Sequence, residues 1–180
     1  MTPELLAWSA AAALVVTIAV GWLLRRRALA DPWLRGKLAG ARLVYAERLF
    51  RSRQSPLVAR IDRGYRKDDR IWLMELKTRP GQRVYPSDVI ELSAQKVALE
   101  SETGMRVSEF GFVLTQSPDG SRRLHGVKLM RRTEIDELVR RRAAILNGSL
   151  EPRHARDPRL CRDCAYRAEC GCGRARDPRG

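Results

Sequence analysis

Between Leu5 and Leu24 the chain carries no charged side chain, and only Ser9, Thr17 and Gly21 fall outside the hydrophobic class. As a helix, a run of about twenty residues reaches about 30 Å, the depth of a bilayer's hydrocarbon core. Such a run has few destinations. A uniformly apolar helix inside a water-soluble fold would need protein on every side. A secretory signal peptide is the other alternative, and Ala28-Leu29-Ala30 has the small-x-small look of a cleavage site. A signal peptide, however, carries positive charge ahead of a shorter apolar run, about 7 to 15 residues long. Here Glu4 is the only side-chain charge ahead of the run, and Arg25-Arg26-Arg27 follow it as a stop-transfer signal. Trp8 and Trp22 stand near its two ends, where indole rings favour the membrane interface. The expectation is a single-pass transmembrane anchor over residues 1–27, basic flank included. The positive-inside rule then puts Arg25 onward in the cytoplasm, at the inner (cytoplasmic) membrane.

Removing the first 24 residues, whose one charged side chain is Glu4, leaves 156 residues with a formal charge of +15. That length suits one ordinary domain with a real core. It excludes a multi-pass transporter and a large multidomain enzyme, and the apolar content excludes a disordered tail. Cys161, Cys164, Cys170 and Cys172 lie within twelve residues. In a reducing cytosol, such a cluster points to bound metal rather than to disulfides spanning a fold.

Residues 28–39 read as a juxtamembrane linker, punctuated by Asp31-Pro32. From Gly36 to Arg53, Leu38, Ala41, Val44 (or Tyr45), Arg48 and Leu49 recur at spacings of three and four, which predicts a helix. Leu57 to Tyr65 and Arg70 to Thr78 predict two strands of a hairpin about the polar turn Lys67-Asp68-Asp69. A loop containing Pro80-Gly81 leads to a helix over Ser87 to Thr103, with a serine available as N-cap and Gly104 beyond its end. Val107 to Thr115 and Arg122 to Leu129 form a second predicted hairpin around Ser117-Pro118-Asp119-Gly120. Thr133 to Asn147 predicts a last helix, with Thr133 as N-cap, Glu134 and Asp136 in its first turn, and Gly148 after it. No internal repeat is visible. The fold class expected is α/β, a mixed sheet flanked by helices over residues 40–150, followed by an arginine-rich cysteine tail over residues 151–180.

Three residues sit badly in a plain core. In Arg70-Ile-Trp-Leu-Met-Glu-Leu-Lys77, period-two alternation sets Ile71, Leu73, Glu75 and Lys77 on one face and Trp72, Met74 and Leu76 on the other. Both faces are otherwise apolar, as in an interior strand covered on both sides. A buried charge costs several kcal/mol unless it is paired or metal-bound. A Glu–Lys pair at a fraying strand end would satisfy that rule. Asp62 adds a second carboxylate, in Val58-Ala-Arg-Ile-Asp62, which the hairpin brings beside Glu75. Two neighbouring carboxylates repel unless a divalent cation lies between them. Mg²⁺ favours one or two carboxylates plus waters and phosphate oxygens, and Lys77 would add a fixed positive charge to the same pocket.

Asp62, twelve intervening residues, then Glu75-Leu76-Lys77 resembles the D…ExK signature of the PD-(D/E)XK nuclease superfamily. Ser93-Ala-Gln95-Lys96 on the following predicted helix is similar to the glutamine motif of RecB-type nuclease domains. The tail, Cys161-x2-Cys164-x5-Cys170, resembles the C-terminal cysteines of CRISPR-associated RecB-like exonucleases, which bind a [4Fe-4S] cluster. The resemblance runs from about Gly40 to Cys172. It implies a restriction-endonuclease-like fold and a DNA phosphodiesterase. Asp62, Glu75 and the backbone carbonyl of Leu76 would hold Mg²⁺ or Mn²⁺, Lys77 would orient or activate water, and Gln95 would contact the site. Glu47 would fill the place of an acidic or histidine residue carried by some relatives, against its plainer reading as an exposed helix glutamate beside Arg48 and Arg51.

Two positions depart from the pattern. Leu99 stands where RecB-like nucleases often carry tyrosine, and no cysteine precedes Cys161. Cys172 would then supply a fourth thiolate, in a site whose donors suit iron–sulfur or zinc. The x2, x5, x1 spacing lacks the paired arms of a zinc ribbon, which favours iron–sulfur. His154 and His125 read as a solvated and a structural histidine.

Thirty of the 35 basic residues are arginine, which suits phosphate, whether of nucleic acid or of anionic lipid beside an anchor. Aromatics are few, which argues against a binding module that works by base stacking. The expected function is a membrane-anchored Mg²⁺- or Mn²⁺-dependent deoxyribonuclease with a cysteine-bound centre. The alternatives are a catalytically inactive nuclease-fold adaptor tethering nucleic acid or a partner complex at the membrane, and a redox or zinc sensor using the cysteines alone.

Overall fold

The computed structural model describes Gly36, residues 38–153, residues 160–161 and residues 164–167. The predicted anchor, its basic flank, His154, Cys170 and Cys172 lie outside the described residues. Among the described residues, no helix is long and apolar enough to cross a membrane. The chain divides into two compact units, Met1–Asp136 and Glu137–Gly180.

The elements run β1 (Arg42–Arg51), β2 (Val58–Lys67), β3 (Arg70–Thr78), α1 (Pro86–Thr103), β4 (Phe110–Gln116), β5 (Arg122–Lys128) and α2 (Arg132–Leu146). The five strands form one sheet in sequence order. β1–β2, β2–β3 and β4–β5 pair antiparallel, and β3–β4 pair parallel. Parallel neighbours cannot be joined by a hairpin, so α1 serves as the crossover between β3 and β4. This is a mixed α/β fold.

The predicted helix over 36–53 is a strand instead. Its apolar spacing misleads because β1 is irregular twice. A bulge sits between Leu43 and Tyr45, and Glu47 adopts a left-handed φ of 50°. Leu43 packs in one core cluster, while Tyr45 and Phe50 pack in the other. Strict alternation would set Tyr45 and Phe50 on opposite faces, so the strand switches faces between them. A strand interrupted this way shows spacings of three and four without being a helix.

The core has two clusters, one on each side of the sheet. Phe50, Ile61, Ile71, Leu73 and Val113 join Leu92, Ala98 and Leu99 of α1 on one side. Leu38, Tyr65, Met74, Phe112 and Leu114 form the other, with Trp72 and Leu76 beside them. In β3 the odd residues face α1 and the even ones face away, as its alternation requires.

α1 begins one residue before its expected start. Tyr85, not a serine, is the N-cap, in extended conformation (φ −107°, ψ 156°), and Pro86 takes the first helical turn. Asp88 accepts the Tyr85 N–H at 2.8 Å, satisfying a donor that would otherwise be orphaned. At the other end Gly104 has a φ of 72°, and its N–H reaches the Glu100 carbonyl at 2.9 Å. β4 is shorter than the alternation from Val107 predicts. Val107 makes only an isolated parallel bridge to Ile71, and Ser108 Oγ accepts the Phe110 N–H at 3.1 Å where the chain resets into the ladder. α2 begins at Arg132 rather than after a Thr133 cap; Glu134 accepts the Arg131 N–H at 2.8 Å.

Candidate active site

The site begins where two strands part. β2 pairs with β3 from Lys67↔Arg70 to Arg63↔Met74 and no further. One step on, the same register would bring Asp62 level with Glu75. Ile61 packs on the α1 side and Tyr65 on the opposite side, so β2 also switches faces across Asp62. In β1, Glu47 falls between Ala46↔Arg63 and Arg48↔Ile61, level with Asp62. The left-handed residue and the strand divergence thus share one level of the sheet. Where strands separate, a backbone N–H loses its ladder partner and must find another. Asp62 provides it: its Oδ2 accepts the Leu76 N–H at 2.8 Å.

Glu75 continues the α1-facing row of β3 after Ile71 and Leu73, and is only 3 % exposed. Both of its oxygens are engaged. Lys77 Nζ donates to Oε1 at 2.7 Å, and Gln95 Nε2, from α1, donates to Oε2 at 2.6 Å. Burial pushes the Glu75 carboxyl up to about 7. The bonds from Lys77 and Gln95 oppose that rise, and the negative charges of Asp62 and Glu91 add to it. Lys77 is held from a second side by Glu91 Oε2, also at 2.7 Å. Its burial works against charge, but the two carboxylates prevail and push it to about 12. Lys77 therefore remains an ammonium at neutral pH.

Asp62, Glu75, Lys77 and Gln95 are thus brought to one place, and Glu91 joins them. Glu91 lies one helical turn before Gln95, at the i, i+4 spacing that puts both on one face of α1. That spacing was its only mark in the sequence. Glu47 is an exposed strand residue rather than a helix residue.

Beyond this group, Arg79 forms a forked pair with buried Asp88, Nη1 to Oδ1 at 3.2 Å and Nη2 to Oδ2 at 2.6 Å. Burial alone would raise Asp88, but the guanidinium and the Tyr85 N–H outweigh it and hold the carboxyl below its usual value. His125 lies on β5, level with Glu75 through Val113. Its ring Nε2 is 3.1 Å from the Thr115 hydroxyl, which itself donates to the Arg123 carbonyl at 3.3 Å. Burial, then the charges of Arg123 and Arg79, hold His125 below its usual value.

The donors suit a hard divalent cation. Asp62 Oδ1 remains beyond the Leu76 contact, Glu75 is a second carboxylate, and Leu76 offers a carbonyl. Lys77 already rests on Glu75, so this pocket attracts positive charge. Gln95 Oε1 is a buried acceptor without a hydrogen-bond partner, which a hydrated cation would satisfy. Among the described residues, no group of three or more His, Cys, Asp or Glu side chains could hold a metal ion by themselves. In the second unit, Cys161 is half-buried and Cys164 is exposed, and Arg167 N–H donates to the Cys164 carbonyl at 3.1 Å.

No family model matches the chain. No curated protein matches it either. Among solved structures, the crystal structure of SSO0001 aligns with a TM-score of 0.47 at 16 % identity, over 91 % of this chain and 71 % of that one. A likeness at that level carries no argument about activity.

Proposed function

We propose that this protein is a Mg²⁺- or Mn²⁺-dependent nuclease that hydrolyses DNA phosphodiester bonds from a membrane-anchored position. The observation that carries the reading is Glu75 hydrogen-bonded to both Lys77 and Gln95, with Asp62 on the backbone N–H of the intervening Leu76, at the point where β2 leaves β3. Asp62, Glu75 and the Leu76 carbonyl hold the cation. When bound, the cation supplies Lewis-acid charge to the phosphoryl oxygens. Lys77, an ammonium with its pKa near 12, acts as a positive donor that orients the attacking water and offsets charge growing on the phosphate, not as a base. Glu91 keeps that ammonium in place, and Gln95 fixes the Glu75 carboxylate. Cys161, Cys164, Cys170 and Cys172 hold an iron–sulfur cluster in the tail, with zinc as the alternative.

The test uses the full-length protein in detergent with single- and double-stranded DNA. Cleavage with Mg²⁺ or Mn²⁺ and none with EDTA is the expected result; an inert wild type with both metals sinks the catalytic reading. Anaerobically purified protein should be brown, with absorbance from iron–sulfide charge transfer. A colourless protein with stoichiometric zinc excludes the iron–sulfur cluster and leaves the nuclease reading intact.

One observation favours the adaptor reading. Both Glu75 oxygens are satisfied by internal donors, so this carboxylate is held in place without a metal. An adaptor would bind nucleic acid equally with and without divalent cation and cleave none.

A further inference from the structure

The loop from Arg79 to Tyr85 leads from the carboxyl end of β3 into α1, and it holds an aromatic side chain that serves neither the core nor Glu75. Tyr85 is 46 % exposed. One of its faces is occupied: the Arg79 guanidinium carbon lies 4.6 Å from the ring centroid. That guanidinium is in turn fixed by its fork onto buried Asp88, and Asp88 also accepts the Tyr85 backbone N–H. Three residues therefore brace one another in a closed triangle. Pro86, immediately after the ring, further restricts the backbone. A tyrosine held this way loses little freedom when something stacks on it, and its backing cation strengthens the arrangement.

The surroundings are basic. Arg83 and Arg123 are exposed. Gln82 Nε2 donates to Ser121 Oγ at 2.9 Å, so the loop abuts the β4–β5 turn from which Arg122 and Arg123 continue. Tyr85 lies roughly 9 Å along the α1 axis from Glu91, which grips Lys77. The Lys77 charge also acts on Asp88, which braces the ring, so the ammonium and the ring share one neighbourhood.

The geometry points to Tyr85 as a base-stacking platform that selects single-stranded nucleic acid at the mouth of the site, with Arg79 and Asp88 as its positioning residues. Only an unpaired base presents a free π-face to such a ring, and a duplex keeps its bases stacked on each other. This inference rests on the nucleic-acid reading of the site but not on turnover.

Its test is binding in EDTA, so that nothing is cleaved. The full-length protein is titrated with a fluorescent oligothymidine and with a duplex of equal length. Tyr85→Ala should weaken single-strand binding about tenfold and leave duplex binding unchanged, and Tyr85→Phe should restore it. With the wild type, one abasic position scanned along the oligonucleotide should cost about the same tenfold at a single register, and nothing in Tyr85→Ala. The wild-type half of this arm needs no altered protein to fold. Equal losses on single strand and duplex, no register dependence in the wild type, or failure of Tyr85→Phe to restore binding would each overturn the platform. A wild type that stacks but never cleaves removes the nuclease reading alone; one that binds no nucleic acid removes both.

Discussion

Glu75 is an acid whose surroundings oppose its ionisation, and that makes stability run against pH in a defined direction. Its carboxyl is raised from about 4.5 to about 7, so the folded state favours the protonated form. The contribution is fully present below pH 4.5 and is lost as pH rises through 7, about 3 kcal/mol in all. Urea unfolding in EDTA between pH 4.5 and 8 should show this loss in the wild type and its absence in Glu75→Gln; identical slopes would refute it. Asp62 separates structure from chemistry. Asp62→Ala leaves the Leu76 N–H without its acceptor and should cost about 1–3 kcal/mol. Asp62→Asn keeps an acceptor oxygen and should retain most stability while losing Mg²⁺ affinity in a calorimetric titration. Glu75 and Lys77 were legible because they interrupt an otherwise apolar strand, Asp62 because the hairpin sets a second carboxylate beside Glu75, and Gln95 only through the resemblance of its helix motif. Glu91 was not, since a glutamate on a half-solvated helix looks like any other until its partner is known.

At the level of elements, strands β2 and β3 and helix α1 were legible from alternation, the Asp68-Asp69 turn and the Gly104 terminus. β1 was not. Its bulge and left-handed Glu47 scatter apolar residues over both faces, and no local signal in the sequence distinguishes that scatter from a helical stripe. A non-glycine residue at φ 50° costs about 1–2 kcal/mol. Glu47→Gly should therefore raise stability by up to about 1 kcal/mol, and Glu47→Val should lower it by more than that, both read from thermal melts. If both substitutions are neutral, the kink at this level of the sheet is not imposed by the fold. The kink matters because it coincides with the level at which β2 leaves β3, opening the place where Asp62 and Glu75 meet.

For the whole molecule, the contrast is between a chain of net charge +14 and a pocket whose key groups are carboxylates. General adhesion to phosphate needs only the first; hydrolysis of phosphodiesters with a divalent ion also needs the second. Binding to DNA in EDTA should fall steeply with salt, by about 10³-fold between 50 and 200 mM if six phosphates are contacted. Weak salt dependence would assign the arginines to another partner. The apolar front and the last cysteines enter this picture from the sequence alone. Each is a contiguous run of residues and so is visible in the sequence by itself, whereas the site depends on strands distant in sequence.

The most direct measurement is DNA cleavage by the full-length protein in Mg²⁺, with Glu75→Gln and Lys77→Ala assayed beside it. The wild type should degrade DNA, and each substitution should slow it by about 10²-fold or more while the far-ultraviolet circular dichroism is kept. Wild-type inertness, or a Glu75→Gln protein as active as the wild type, would contradict the assignment of this carboxylate cluster as a catalytic site.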